Sequence, residues 1–165
     1  MMKLNLFVAI AAAFVVSCLS KDVVLSTNLN QSLRKRSLPY EDCGSRYDIL
    51  LLEISSCNTI PCSMERSSVV YVHAVFNDKD SDTQFLKHSV RWVFNAIRTQ
   101  ATISPDPCDG QDECITNNPE GKSYSAAVYV NSSLPVMRGT MIWEAGDNKD
   151  ASLICFKIPI YITVN

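Results

Sequence analysis

Ser152-Leu153-Ile154-Cys155-Phe156-Lys157-Ile158-Pro159-Ile160-Tyr161-Ile162-Thr163-Val164 is the stretch that decides the fold. In an extended chain, Ile154, Phe156, Ile158, Ile160 and Ile162 point one way, and Lys157, Tyr161 and Thr163 the other. That two-residue period is the mark of a β-strand with one buried face. Pro159 has no N–H to give to a ladder, which predicts an edge position or a bulge there.

Five further runs repeat the pattern upstream. Tyr47 to Ile54 is short and apolar. In Ser68 to Phe76, Val70, Val72, Ala74 and Phe76 share one face, and Tyr71 and His73 the other. Phe85 to Ile97 sets Val90, Trp92, Phe94 and Ala96 against Arg91 and Asn95. Lys122 to Val130 and Arg138 to Ala145 complete six or seven strands. Turn signals separate them: Asn77-Asp78-Lys79-Asp80, Ser104-Pro105-Asp106-Pro107, Asn118-Pro119-Glu120-Gly121 and Gly146-Asp147-Asn148. No segment sustains a 3.6-residue period beyond a turn or two. Short strands at regular spacing predict an all-β fold, an immunoglobulin-like two-sheet β-sandwich.

Cys155 belongs to a set of six, with Cys43, Cys57, Cys62, Cys108 and Cys114, while a seventh, Cys18, lies in the apolar N-terminus. Residues 1–20 carry one lysine, an apolar run and then small residues, the pattern of a secretory signal peptide. Its removal takes Cys18 away and leaves an even six, as in a secreted disulfide framework. Val15-Val16-Ser17-Cys18 also loosely matches a bacterial lipoprotein signal with Cys18 lipidated, but eukaryotic processing signals follow downstream. Spacing alone leaves all fifteen pairings of six cysteines open.

Residues 21–36 are polar and end in Arg34-Lys35-Arg36, a tribasic site suited to a secretory-pathway convertase. Leu33 stands where the strongest such sites carry arginine, and a solvated basic linker is the alternative. The expected domain is 37–165. No later apolar run reaches the ~18 residues of a transmembrane helix, so the mature protein is expected to be soluble. Residues 1–36 hold five basic groups against Asp22, so the remainder carries −6 against −2 for the whole chain. An acidic body argues against nucleic acid as a partner. Asn30 and Asn131 head Asn-x-Ser triplets and are expected glycosylation sites.

Catalysis finds little support. There are two histidines, His73 and His88, and no Gly-x-Ser-x-Gly elbow. Both histidines are expected at the surface. Asp78, Asp80 and Asp82 alternate as in a calcium loop, but the glycine and distal glutamate of an EF-hand are missing. The Asp109, Asp112 and Glu113 cluster reads as a solvated turn. With the cysteines committed to disulfides, no metal site and no cofactor are expected.

Several blocks together resemble the ML lipid-recognition domain family, most closely its secreted sterol carriers and more distantly the group 2 mite allergens. They are Asp42-Cys43-Gly44, Pro61-Cys62, Pro105-Asp106-Pro107-Cys108 with a five-residue gap to Cys114, and Gly121-Lys122-Ser123-Tyr124. Trp143-Glu144, Asp147-Asn148-Lys149 and Leu153 to Ile160 complete the set. The resemblance implies an apolar cavity between the sheets and three disulfides: Cys43–Cys155, Cys57–Cys62 and Cys108–Cys114. It implies that Ile54, Met64, Val70, Val72, Ala74, Val130, Leu134, Met141, Phe156 and Ile158 line that cavity; an ordinary filled core is the alternative. It further implies a monomeric carrier of a sterol, fatty acid or phospholipid, secreted or lysosomal, with a membrane-protein acceptor or receptor. The competing readings are an innate-immune sensor of microbial lipids and a surface-binding immunoglobulin-like module without a lipid cavity. Two departures bear on the ligand. Arg98 to Ile103 is polar, where the sterol carriers have a proline-rich aromatic loop. Leu134 stands before Pro135, where they have a tyrosine. Arg98 and Arg138 are accordingly candidates for meeting an anionic head group at the cavity rim.

Overall fold

A computed structural model describes residues 37–77, 87–104, 114–118, 121–146 and 152–164. The predicted signal peptide, the tribasic segment, Asn30 and Cys108 lie outside these residues, as do the Asp78–Asp82 and Asp109–Glu113 clusters. Among the described residues there are eleven strands and no helix. They are β1 (Glu41–Asp42), β2 (Ile49–Ile54), β3 (Cys62–Glu65), β4 (Val69–Phe76), β5 (Lys87–Phe94) and β6 (Ile97–Gln100). β7 (Thr102–Ile103), β8 (Thr116–Asn118), β9 (Gly121–Tyr129), β10 (Arg138–Gly146) and β11 (Ser152–Thr163) follow. One sheet runs β1-β11-β10-β5-β6, with β3 beside β11; the other runs β2-β4-β9-β7, with β8 beside β9. All pairings are antiparallel except β3 with β11. The all-β two-sheet sandwich is therefore as predicted.

β11 alternates as its sequence demands from Phe156 onward, with Phe156, Ile158, Ile160 and Ile162 buried and Pro159 and Tyr161 exposed. Its first turns are buried on both sides: Leu153 and Cys155 are covered too, because residues 43–47 lie across them. Arg46 and Tyr47 donate their N–H groups to the Leu153 carbonyl, and Cys43 donates to Cys155 O. Pro159 occupies neither an edge strand nor a bulge. It pairs with Thr140 on one side, and on the other it falls between the last β1 partner, Lys157, and the first β3 partner, Ile160. A missing N–H breaks no ladder in that gap. The register irregularity lies instead at Ala145 and Gly146.

The run from Phe85 to Ile97 is not one strand. β5 ends at Phe94, and Asn95-Ala96 forms a two-residue hairpin that brings Ile97 opposite Phe94. Asn95 has φ 49°, the left-handed conformation that such hairpins need and that asparagine tolerates. Ala96 is thereby exposed rather than on the core face. The polar segment 98–103 then crosses between sheets: β6 pairs with β5, β7 pairs with β9, and the buried Ala101 at the crossing donates its N–H to Val90 O. Its hydrogen bonds, not its hydrophobicity, make it a strand pair.

Two of the implied disulfides are present. Cys43–Cys155 joins the start of the domain to β11 across 112 residues, and Cys57–Cys62 closes a short loop, with Cα separations of 5.1 and 4.9 Å. Cys114 is disulfide-bonded as well.

Asp42 shapes the turn beside the long bridge. Its Oδ1 accepts the N–H groups of Gly44 (2.9 Å) and Ser45 (3.2 Å). The Ser45 side chain, then the Gly44 backbone, hold its carboxyl below the usual range. A carboxyl whose folded pKa is depressed adds stability above its unfolded pKa and loses that contribution as pH falls through the folded value. Asp42→Asn is expected to cost no more than about 1 kcal/mol near neutrality, because the group is exposed. The difference from the parent should shrink as pH drops below about 4; urea unfolding across pH 2.5–7 checks it, and a constant deficit would refute the assignment.

Candidate functional site

The space between the sheets is built rung by rung. On the first sheet the register aligns Val90, Trp143 and Phe156, then Trp92, Met141 and Ile158, then Gly139 and Ile160, with the Phe94 ring beside Gly139. On the second it aligns Leu52, Ala74 and Tyr124, then Ile54, Val72 and Ala126, then Val70 with Val128. Apart from Gly139, every side chain in these rungs is at least nine-tenths buried. Gly139 has a steric duty: a Cβ there would lie 2.5 Å from Phe94 Cδ1, so its absence lets the Phe94 ring rest against β10.

The two ends of this interior differ in chemistry. At one, Trp143 and Phe156 stack with ring centroids 6.0 Å apart and planes 6° from parallel. Tyr124 from the opposite sheet meets Trp143 edge-on at 6.1 Å, and Tyr40 meets Phe156 edge-on at 6.3 Å. Such pairs add roughly 0.5–1.5 kcal/mol each beyond area burial, and the Tyr124–Trp143 pair joins the two sheets there. The other end is aliphatic and thioether, with Met64, Val130, Leu134 and Ile162.

All ten residues predicted to line a cavity are buried members of one hydrophobic cluster. Ile54 comes from β2, Val70, Val72 and Ala74 from β4, Met64 from β3, Met141 from β10, and Phe156 and Ile158 from β11. Val130 follows β9, and Leu134 closes a turn by donating its N–H to Asn131 O. Sequence reasoning missed Tyr124, Val128 and Trp143, though plain alternation along β9 and β10 points to them. It also misjudged His88, whose ring lies 5.8 Å from Tyr124 and 6.3 Å from Trp143, facing the aromatic end. A position two residues before Val90 dictates that inward face. His73 does face outward, its Nδ1 2.7 Å from Ser125 Oγ.

The two arginines are not at the interior's rim. Arg98 pairs with Val93 and Arg138 with Tyr161, both on the outer face of their sheet. The departure in the loop before Cys108 therefore supplies no head-group cation. A cleft of about 410 Å³ opens elsewhere, beside Leu38, Glu53, Ser55, Asn58, Tyr71 and His73. Of the ten predicted residues it touches Ile54 alone, so it is distinct from the inter-sheet space. Among the described residues no helix is long and apolar enough to cross a membrane, and no group of three His, Cys, Asp or Glu is placed to hold a metal.

Two facing sheets, disulfides at the start and flank, and an interior lined from both sides by aliphatic, thioether and aromatic groups define an immunoglobulin-like sandwich with an apolar middle. The chain belongs to the ML domain family, whose model matches residues 37–162. It is 27% identical over 128 residues to the NPC intracellular cholesterol transporter 2 of Mus musculus, covering 76% of this chain and 85% of that protein. The Drosophila melanogaster NPC intracellular cholesterol transporter 2 homolog a is 28% identical over 131 residues, covering 76% and 88%. The crystal structure of a Niemann-Pick type C2 protein from the Japanese carpenter ant has the same fold, with a TM-score of 0.61 at 24% identity over 76% of this chain and 100% of that one.

Proposed function

We propose that this protein is a carrier that takes up one sterol or related lipid between its sheets and passes it to an acceptor without catalysing a reaction. The observation that carries this reading is the meeting of all ten predicted lining residues in one buried cluster drawn from both sheets. Relatives that are cholesterol transporters support it. Uptake is driven by removing the lipid's apolar surface from water, about 25 cal/mol per Å². Met64 and Met141 give the aliphatic end adaptable walls. Release requires the sheets to part at that end, where no aromatic pair spans them among the described residues.

The protein acts as a monomer after export, extracellularly or in the lysosome lumen, and delivers to a membrane acceptor. Its disulfides suit those compartments. Asn131 carries a glycan: residues 131–133 are exposed, and the Ser133 hydroxyl lies 2.9 Å from Asn131 Oδ1.

The test is displacement of dehydroergosterol from the secreted protein by cholesterol, with native mass spectrometry of what co-purifies. One lipid per chain and saturable displacement are expected. Ala74→Phe, which fills the middle of β4's inner face, should weaken binding at least about tenfold while the strand signal in circular dichroism persists, since overpacking a core usually keeps the fold. Repeated preparations from lipid-rich medium that carry nothing, with no probe bound, would overturn the reading.

A further inference from the structure

Trp143 is fully buried, on the inner face, in the rung next to Met141 and Ile158. Among the described residues its Nε1 has no hydrogen-bond partner. An indole nitrogen can only donate, and buried tryptophan N–H groups usually find an acceptor. Among the described residues, the rings against Trp143 are those of Phe156, Tyr124 and His88, with centroids 6.0, 6.1 and 6.3 Å away. A ring face is a second-order acceptor at best. A phenylalanine would give the same flat stacking on Phe156 without a buried donor.

We propose that Trp143 Nε1 donates a hydrogen bond to an oxygen of the bound lipid. The aromatic end then selects lipids that bring an acceptor oxygen to the end entering first, over hydrocarbons of the same shape. This rests on the carrier reading. It assigns Trp143 the role of a specificity residue and gives the interior a polar contact with its ligand, as small-molecule sites generally have.

The chain has two tryptophans, Trp92 and Trp143, so its ¹⁵N spectrum holds two indole signals, assigned with Trp92→Phe and Trp143→Phe. Three probes share one skeleton: 5α-cholestane has no oxygen, cholesterol has one at the ring end, and 25-hydroxycholesterol has one at each end. The Trp143 indole proton is expected to move downfield with 25-hydroxycholesterol and not with cholestane. Cholesterol then tells which oxygen is used, by following one or the other. Trp143→Phe should weaken 25-hydroxycholesterol about tenfold and leave cholestane unchanged, the loss of one hydrogen bond. An indole shift that is the same with all three probes, or an equal change in all three affinities, overturns the proposal while the carrier reading stands. If none of the probes binds, both fall together. The shift measurement on the parent protein decides the matter even if Trp143→Phe fails to fold.

Discussion

Cys43→Ala/Cys155→Ala is expected to lower stability by about 4–5 kcal/mol, because the bridge it removes closes a loop spanning 112 residues. A domain of this size has roughly 5–15 kcal/mol in total, so the variant should accumulate poorly and unfold at a much lower guanidinium concentration. The structure adds a reason beyond chain entropy. The bridge clamps residues 43–47 over the first turns of β11, where Ser45 Oγ accepts the Cys155 N–H at 2.8 Å and Arg46 and Tyr47 donate to Leu153 O. Without the clamp, Leu153 loses the cover that buries it. The Cys57→Ala/Cys62→Ala variant is the control: its loop spans 5 residues, and the same model gives about 2 kcal/mol. Guanidinium unfolding of both pairs beside the parent measures the difference. Losses of equal size, or a loss below about 1 kcal/mol for the long bridge, would show that the clamp is not what holds β11.

Where the sequence could be read, hydrophobic period did the reading. β4, β9, β10 and most of β11 bury every second residue, so their inner faces and the sandwich follow from alternation alone. The elements that escaped are those held by hydrogen bonds without a period. β6 and β7 are polar, and their strand character comes from pairing with β5 and β9. β3 has four residues and lies parallel to β11, a long-range pairing that no local signal specifies. The site divides the same way. Counting from the cysteines to the family's pattern picked out ten residues that all lie in one buried cluster. It did not show that Arg98 faces outward, because a hairpin at Asn95 resets the parity of the strand after it; Arg138, three residues before the buried Met141, was readable as outward from the alternation of β10. It could not show His88 among rings either, since that contact joins two sheets.

Phe156→Ala is expected to cost about 3–5 kcal/mol in lipid-free protein, the range for truncating a fully buried aromatic. The ring is 0% exposed, stacks on Trp143 and meets Tyr40 edge-on, so its loss leaves a hole lined by rings at the aromatic end of the interior. What happens on adding lipid separates a carrier from a filled sandwich. A ligand that binds the folded state alone stabilises it by about 2.7 kcal/mol at a hundred times its dissociation constant. If Phe156 forms part of the wall against which the lipid packs, the variant binds more weakly. A tenfold loss of affinity removes about 1.4 kcal/mol of that stabilisation at the same lipid concentration. The gap between parent and variant should therefore widen from about 3–5 to about 4.5–6.5 kcal/mol in saturating cholesterol, read from urea unfolding with and without lipid. A gap unchanged by lipid would mean that Phe156 is ordinary core and that any lipid binds elsewhere on the molecule.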